Sequence, residues 1–164
     1  MESVNRILVA LGFSSYARQT FDYAAMLAQR MEAELIIGSI INSKDIRAVH
    51  MVSAMGYDVD SDHYIKGVKQ ERREALEKIL ENSIYQRDQI SLIFRAGNPV
   101  EALLELIVSE KIDLLVMGVK GHSDIENVFI GSVAEKLFRR SPVPVVSVRD
   151  AQTAERLRKR IQLD

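Results

Sequence analysis

The chain has no cysteine and no tryptophan among its 164 residues. Without cysteine there is no thiolate nucleophile, no disulfide framework and no cysteine-ligated metal centre. Proline is scarce, at three residues, and the eight glycines form no glycine/serine tract that would mark a flexible linker. Charge of one sign is lacking too: 22 Lys+Arg stand against 23 Asp+Glu, for a formal net charge of −1. That balance supplies no general field toward nucleic acid or an anionic membrane surface. No apolar run approaches the roughly eighteen residues of a membrane-spanning helix, and residues 1–11 lack the basic-then-apolar order of a secretion signal. The expected compartment is the cytoplasm.

What is present is an ordinary globular composition, 47% hydrophobic and 27% charged. A chain of this length can bury roughly 70% of the surface its unfolded form exposes, and it reads as one domain, residues 1–150, followed by a basic helical tail, 151–164. Short aliphatic runs alternate with stretches of helical spacing. Residues 6–11 (RILVAL) read as a first strand. Residues 14–31 follow as a helix, with Phe21, Ala24, Ala25 and Ala28 on one side. Residues 33–41 (AELIIGSII) form the second strand, and 64–85 a long helix with Val68, Leu76, Ile79 and Leu80 for its inner face; the form of 42–62 between them stays open. Residues 90–94 (ISLIF) are the third strand. Asn98, Pro99 and Glu101 compose a cap, a first-turn proline and a capping-box acid for a helix over 99–110. Residues 113–118 (DLLVMG), 132–140 and 144–148 (PVVSV) complete the pattern as strand, helix and strand. Five strands alternating with four helices predict an α/β parallel sheet with right-handed crossovers and helices on both faces.

Residues 117–132 (MGVKGHSDIENVFIGS) place Gly118, Gly121 and Gly131 between the fourth strand and the next helix. In an open parallel sheet, ligands bind beyond the carboxyl ends of the strands, where strand order reverses. Glycines let backbone approach a ligand and permit left-handed turns. Gly131-Ser132 opens a helix whose first free N–H groups and dipole suit an anion. Ser132 adds a hydroxyl donor, and Lys120 and a protonated His122 would offset phosphate charge. The loop reads as a phosphate cradle, although neither G-x-x-x-x-G-K-[ST] nor G-x-G-x-x-G occurs.

The spacing G-x2-G-x9-G-S, preceded by DLLVMG and followed by VAEKLFRRSPVPVVSVR, resembles the nucleotide-binding signature of the universal stress protein family, and the likeness spans residues 4–149. The resemblance implies a Rossmann-like three-layer sandwich with strand order 3-2-1-4-5, a dimer, and binding of ATP, or of ADP or AMP, with magnesium able to enter through the phosphates. It implies that Gly118, Gly121, Gly131 and Ser132 hold phosphates and ribose. Ala10, Leu11 and Gly12, ending the first strand, and Ile40, ending the second, would bound the adenine, with Met117 and Val133 lining the same pocket. The family's first strand commonly ends in an aspartate, whereas this chain reads ALGFSS, with Gly12 in the acid's place. Gly12 is either a tight strand-to-helix turn or a change of ligand preference, and both readings can hold together.

Other features have plainer readings. DVDSDH (58–63) begins like a calcium loop, but His63 occupies the glycine position and Lys69 the final glutamate position; Asp60, Ser61 or Asp62 is expected to cap the long helix instead. His50 and His63 share no metal-ligand spacing and are expected to be solvated. Arg139 and Arg140 suit the dipole at a helix C-terminus. In the tail, Leu157 and Ile161 at i, i+4 are expected to dock a helix that carries Arg156, Arg158, Lys159 and Arg160. Only Asp124, Glu126 and Glu135 stand near the glycine loop, in no recognised catalytic arrangement. The favoured function is therefore a nucleotide-binding sensor or regulator rather than an enzyme, the alternatives being a dimeric interaction module with an empty pocket and a slow ATPase. The last strand closes the sheet as an uncharged edge, so Val145, Val146, Ser147 and Val148 are the expected homodimer contact.

Overall fold

The computed structural model describes residues 3–12, 16–119 and 130–161. Its strands are the aliphatic runs: β1 (Arg6–Ala10), β2 (Glu34–Asn42), β3 (Ile90–Gly97), β4 (Leu114–Gly118) and β5 (Val145–Val148). They pair in parallel in the order β3-β2-β1-β4-β5. Between and after them run α1 (Ala17–Met31), α2 (Ser43–Ala54), α3 (Ser61–Leu80), a short 3-10 turn at Arg87–Gln89, α4 (Pro99–Ser109), α5 (Ser132–Arg140) and α6 (Ala151–Arg158).

Strand alternation divides the core in two. Ile7, Val9, Leu35, Ile37, Leu114 and Val116 pack on the face covered by α1, which brings Phe21, Ala24, Ala25 and Ala28, and by α3, which brings Leu76, Ile79 and Leu80. Leu8, Ile36, Leu115 and Met117 point the other way, onto Val100, Leu103, Leu106 and Ile107 of α4 and Ala134 and Leu137 of α5. Helices on both faces follow from these strands being apolar on both sides. Val68 is only half-buried, so α3 packs chiefly through its C-terminal half.

Several boundaries differ from the sequence expectation, each for a local reason. β1 stops at Ala10, although the Leu11 amide still donates to the Gly38 carbonyl at 3.0 Å. Asp113 lies before β4: its carboxylate accepts from the amides of Asn5 at 2.8 Å and Arg6 at 2.9 Å, tying the amino ends of two strands together. β3 continues past Phe94 because Arg95 and Ala96 stay in register with Ile40 and Ile41. β5 begins after Pro144, which has no N–H to give but whose carbonyl accepts from Leu115 at 3.0 Å. The span 42–62 holds a helix, α2, capped by the Asn42 side chain on the Lys44 amide. α3 starts at Ser61 because Asp60 accepts from the Asp62 and His63 amides, and ends at Leu80, where Ser83 turns back onto the Leu80 carbonyl.

Asn98 caps α4 as expected, accepting from Val100 at 3.0 Å and Glu101 at 3.4 Å. The capping-box half of that expectation is corrected: the Glu101 carboxylate pairs in a two-pronged contact with Arg140 of α5, at 2.5 and 3.0 Å. Arg140 thus serves as an inter-helix partner, while Arg139 lies 3.9 Å from Glu135 on its own helix. The tail is corrected in part. α6 forms, capped by Asp150 on the Thr153 amide, and Leu157 is half-buried, but Ile161 lies beyond the helix and is 66% exposed. Among the described residues no helix is long and apolar enough to cross a membrane.

Candidate functional site

The strand order reverses at β1, which is flanked by β2 on one side and β4 on the other. Beyond the carboxyl ends of these three strands lies a cleft of about 530 Å³, within the size range of small-molecule sites. β1 contributes Ala10, the chain just after it contributes Leu11 and Gly12, β2 contributes Ile40, and β4 contributes Met117 and Gly118. The start of α5 contributes Gly131, Ser132 and Val133. These sequence-predicted residues, scattered over more than a hundred positions of chain, therefore share one cavity. Lys120, Gly121 and His122 lie outside the described residues, as do Asp124 and Glu126. Val145 to Val148 form the sheet edge at β5, while His50 and His63 are exposed.

Local chemistry explains the α5 wall. Gly131 precedes the helix at φ −58° and ψ 143°, and among the described residues no side chain caps the helix. Its conformation is open to any residue, so what glycine contributes there is the missing side chain at a buried point of the cleft rather than a left-handed turn. The Gly131 amide is spent on the Val119 carbonyl at 2.9 Å. Ser132, Val133 and Ala134, whose amides precede the first intrahelical donor, line the cavity.

Sequence reasoning missed the far wall. Gly38, Asn42, Asp45, Arg72, Pro99, Leu103, Ala134 and Leu137 also line the cleft. Gly38 keeps it open from below: a Cβ there would meet Leu8 Cδ1 at 3.1 Å and Leu103 Cδ2 at 3.2 Å. Arg72 reaches from α3 over the sheet and donates through Nη1 to Ser39 Oγ at 2.6 Å and to the Ile40 carbonyl at 3.0 Å. Burial lowers its pKa from the ordinary arginine value, and the nearby Tyr64, Glu71 and Asp45 oppose that shift. Asp45 sits in the first turn of α2. The legible signal for this wall was the Asn42-to-Asp45 stretch NSKD, a cap followed by an acid three residues on.

The cleft thus joins an apolar body (Ile40, Leu103, Met117, Val133, Leu137) to a helix N-terminus on one side and a carboxylate with a guanidinium on the other. Gly12 is exposed at its mouth, and a Cβ built there meets nothing within 4 Å. A separate crevice of about 20 Å³ beside Tyr16, Val119 and Val148 has room for little more than a water molecule.

The sequence profile of the universal stress protein family matches residues 3–149. Universal stress protein YxiE of Bacillus subtilis is 30% identical over 149 residues, covering 88% of this chain and 99% of its own. Among solved structures, that of hypothetical protein MJ0577 superposes with a TM-score of 0.72 at 20% identity, covering 91% of this chain and 98% of the other, a likeness of fold. A universal stress protein in complex with cAMP superposes with a TM-score of 0.62 at 25% identity, covering 90% and 98%. The chain belongs to the universal stress protein family.

Proposed function

We propose that this protein is a nucleotide-binding regulator, in which occupancy of the cleft changes its shape or its affinity for a partner. The observation that carries this reading is the start of α5 in the cleft: Ser132, Val133 and Ala134, whose amides precede the first intrahelical donor, line it where an anion is favoured, beside apolar walls able to sandwich a base. The residues fit a nucleotide in size as well as in chemistry, at about 530 Å³. Phosphates would lie on Ser132 and Val133, with Gly118 and Gly131 admitting close approach. Ile40, Met117 and Leu103 would hold the base. Adenine nucleotides are the ligands that the family likeness suggests, and the cAMP complex of one relative agrees with a phosphate-and-base site on this fold. A regulator suits the lining better than an enzyme does, because among the described residues the lining holds a single carboxylate, Asp45, and no histidine to work beside it. We assign the protein a homodimer through β5, whose outer edge has no strand partner among the described residues.

Native mass spectrometry of the full chain, purified gently and then incubated with excess nucleotide, tests the reading. The expected spectrum shows one nucleotide per protomer. A spectrum of bare protein at every nucleotide tried would overturn it.

A further inference from the structure

We propose that Asp45 and Arg72 read the base of the bound nucleotide and favour guanine over adenine. The proposal rests on the nucleotide reading of the cleft and departs from the adenine expectation that accompanies it. With phosphate at the start of α5, the base falls on the opposite wall, where Ile40, Asp45 and Arg72 line the same cavity.

The two side chains have opposite and fixed roles. An ionised carboxylate only accepts hydrogen bonds, and its two oxygens suit two adjacent donors; a guanidinium only donates. Guanine offers a matching edge, with N1–H and the 2-amino group side by side and O6 as acceptor beyond them. Adenine offers a single amino donor next to the N1 lone pair, which a carboxylate oxygen would repel. Arginine also pairs readily with guanine O6 and N7.

Arg72 is held in place before any ligand arrives. Both Arg72 hydrogen bonds use Nη1, which fixes the guanidinium on Ser39 and Ile40 while Nη2 is engaged in neither. Asp45 is exposed and takes no part in the cap of its helix, which Asn42 provides, so its carboxylate is not needed to build α2. Gly12 leaves no carboxylate at the end of β1, which makes Asp45, among the described residues, the acid available to a ligand's donors on this lining.

Calorimetric titration of the full chain with GDP, IDP and ADP, on wild type and Asp45→Asn, tests the proposal. Wild type should bind GDP at least about tenfold tighter than ADP, with IDP weakened by loss of the 2-amino donor. Asp45→Asn should cost GDP about tenfold, leave ADP within about threefold, and melt like wild type without ligand. Arg72→Lys, which keeps the charge but loses the planar fork, should narrow the GDP preference as well. Tighter binding of ADP than of GDP by wild type would overturn the base assignment and leave the nucleotide reading standing. Equal losses for all three ligands in Asp45→Asn would overturn it too, by assigning these side chains to phosphate or ribose. Binding of none of the three would overturn both readings.

Discussion

Gly38 and Gly12 are both glycines on the cleft, yet a side chain would have opposite consequences at the two. At Gly38 the space is already taken by the ends of Leu8 and Leu103, so Gly38→Val forces those side chains off their packing. Overpacking of this kind costs about 1–3 kcal/mol, and it should appear as a lower urea midpoint with an unchanged m-value. At Gly12 nothing stands in the way. Gly12→Asp should therefore fold normally and, by restoring an acceptor at the end of β1, tighten nucleotide binding in calorimetry. Unchanged or weaker affinity in the folded variant would assign Gly12 to the turn alone. Two residues act where the sequence was silent. Arg72 stands within KQERREALEK, a run that resembles any solvated helix face, and only the fold shows that it bends back to the β2 carbonyl. Asp113 opened an apolar run and looked like strand, because its partners, the Asn5 and Arg6 amides, lie more than a hundred residues away.

Among the elements, those that bury a face were legible and those that do not were obscure. α1 and α4 declare themselves through Phe21, Ala24, Leu103 and Leu106, all buried, and α4 also through its Asn98 cap. α2 buries no residue, so it leaves no periodic apolar stripe to find. β3 looked finished at Phe94 because Arg95 and Ala96 are exposed; their strand character comes from backbone pairing with β2, which no local pattern records. The junction of α4 and α5 carries a pH dependence of definite sign. The hydrogen bond from Arg140 lowers the Glu101 pKa below the ordinary carboxylate value, desolvation opposes it, and the positive charges of Arg140 and Lys136 add to the lowering. A lowered folded-state pKa gives stability that is present above the unfolded-state value and is lost as pH falls through the folded one. Wild type should accordingly melt slightly higher than Glu101→Gln at neutral pH, and the gap should close in acid and shrink in high salt, since both partners are exposed. A gap that widens in acid would contradict the pairing.

For the whole molecule, the sheet has one edge at β3 and another at β5. Val146 and Val148 already pack against the α1 side and Val145 against the α4 side, so these valines serve the protomer's own core, while Ser147 is exposed. Ser147 is thus the position at which a proposed β5 homodimer can be disturbed without touching that core. Ser147→Glu brings like charges together across a two-fold axis and should weaken the dimer by roughly tenfold or more, read by sedimentation across a dilution series. A wild type that sediments as a monomer, or a variant as dimeric as wild type, would refute the interface. The central claim is that the start of α5 holds the phosphates, and it is tested most directly by titrating ATP, ADP, GTP and GDP into wild type and Gly131→Val, with heat of binding and melting temperature followed together. Gly131 is buried against the cleft at an unstrained backbone angle, so valine there should fill the cradle. Wild type should bind and be stabilised by at least one of these nucleotides, with Gly131→Val folded but losing the response; equal binding by the two proteins, or none by wild type, would contradict the account.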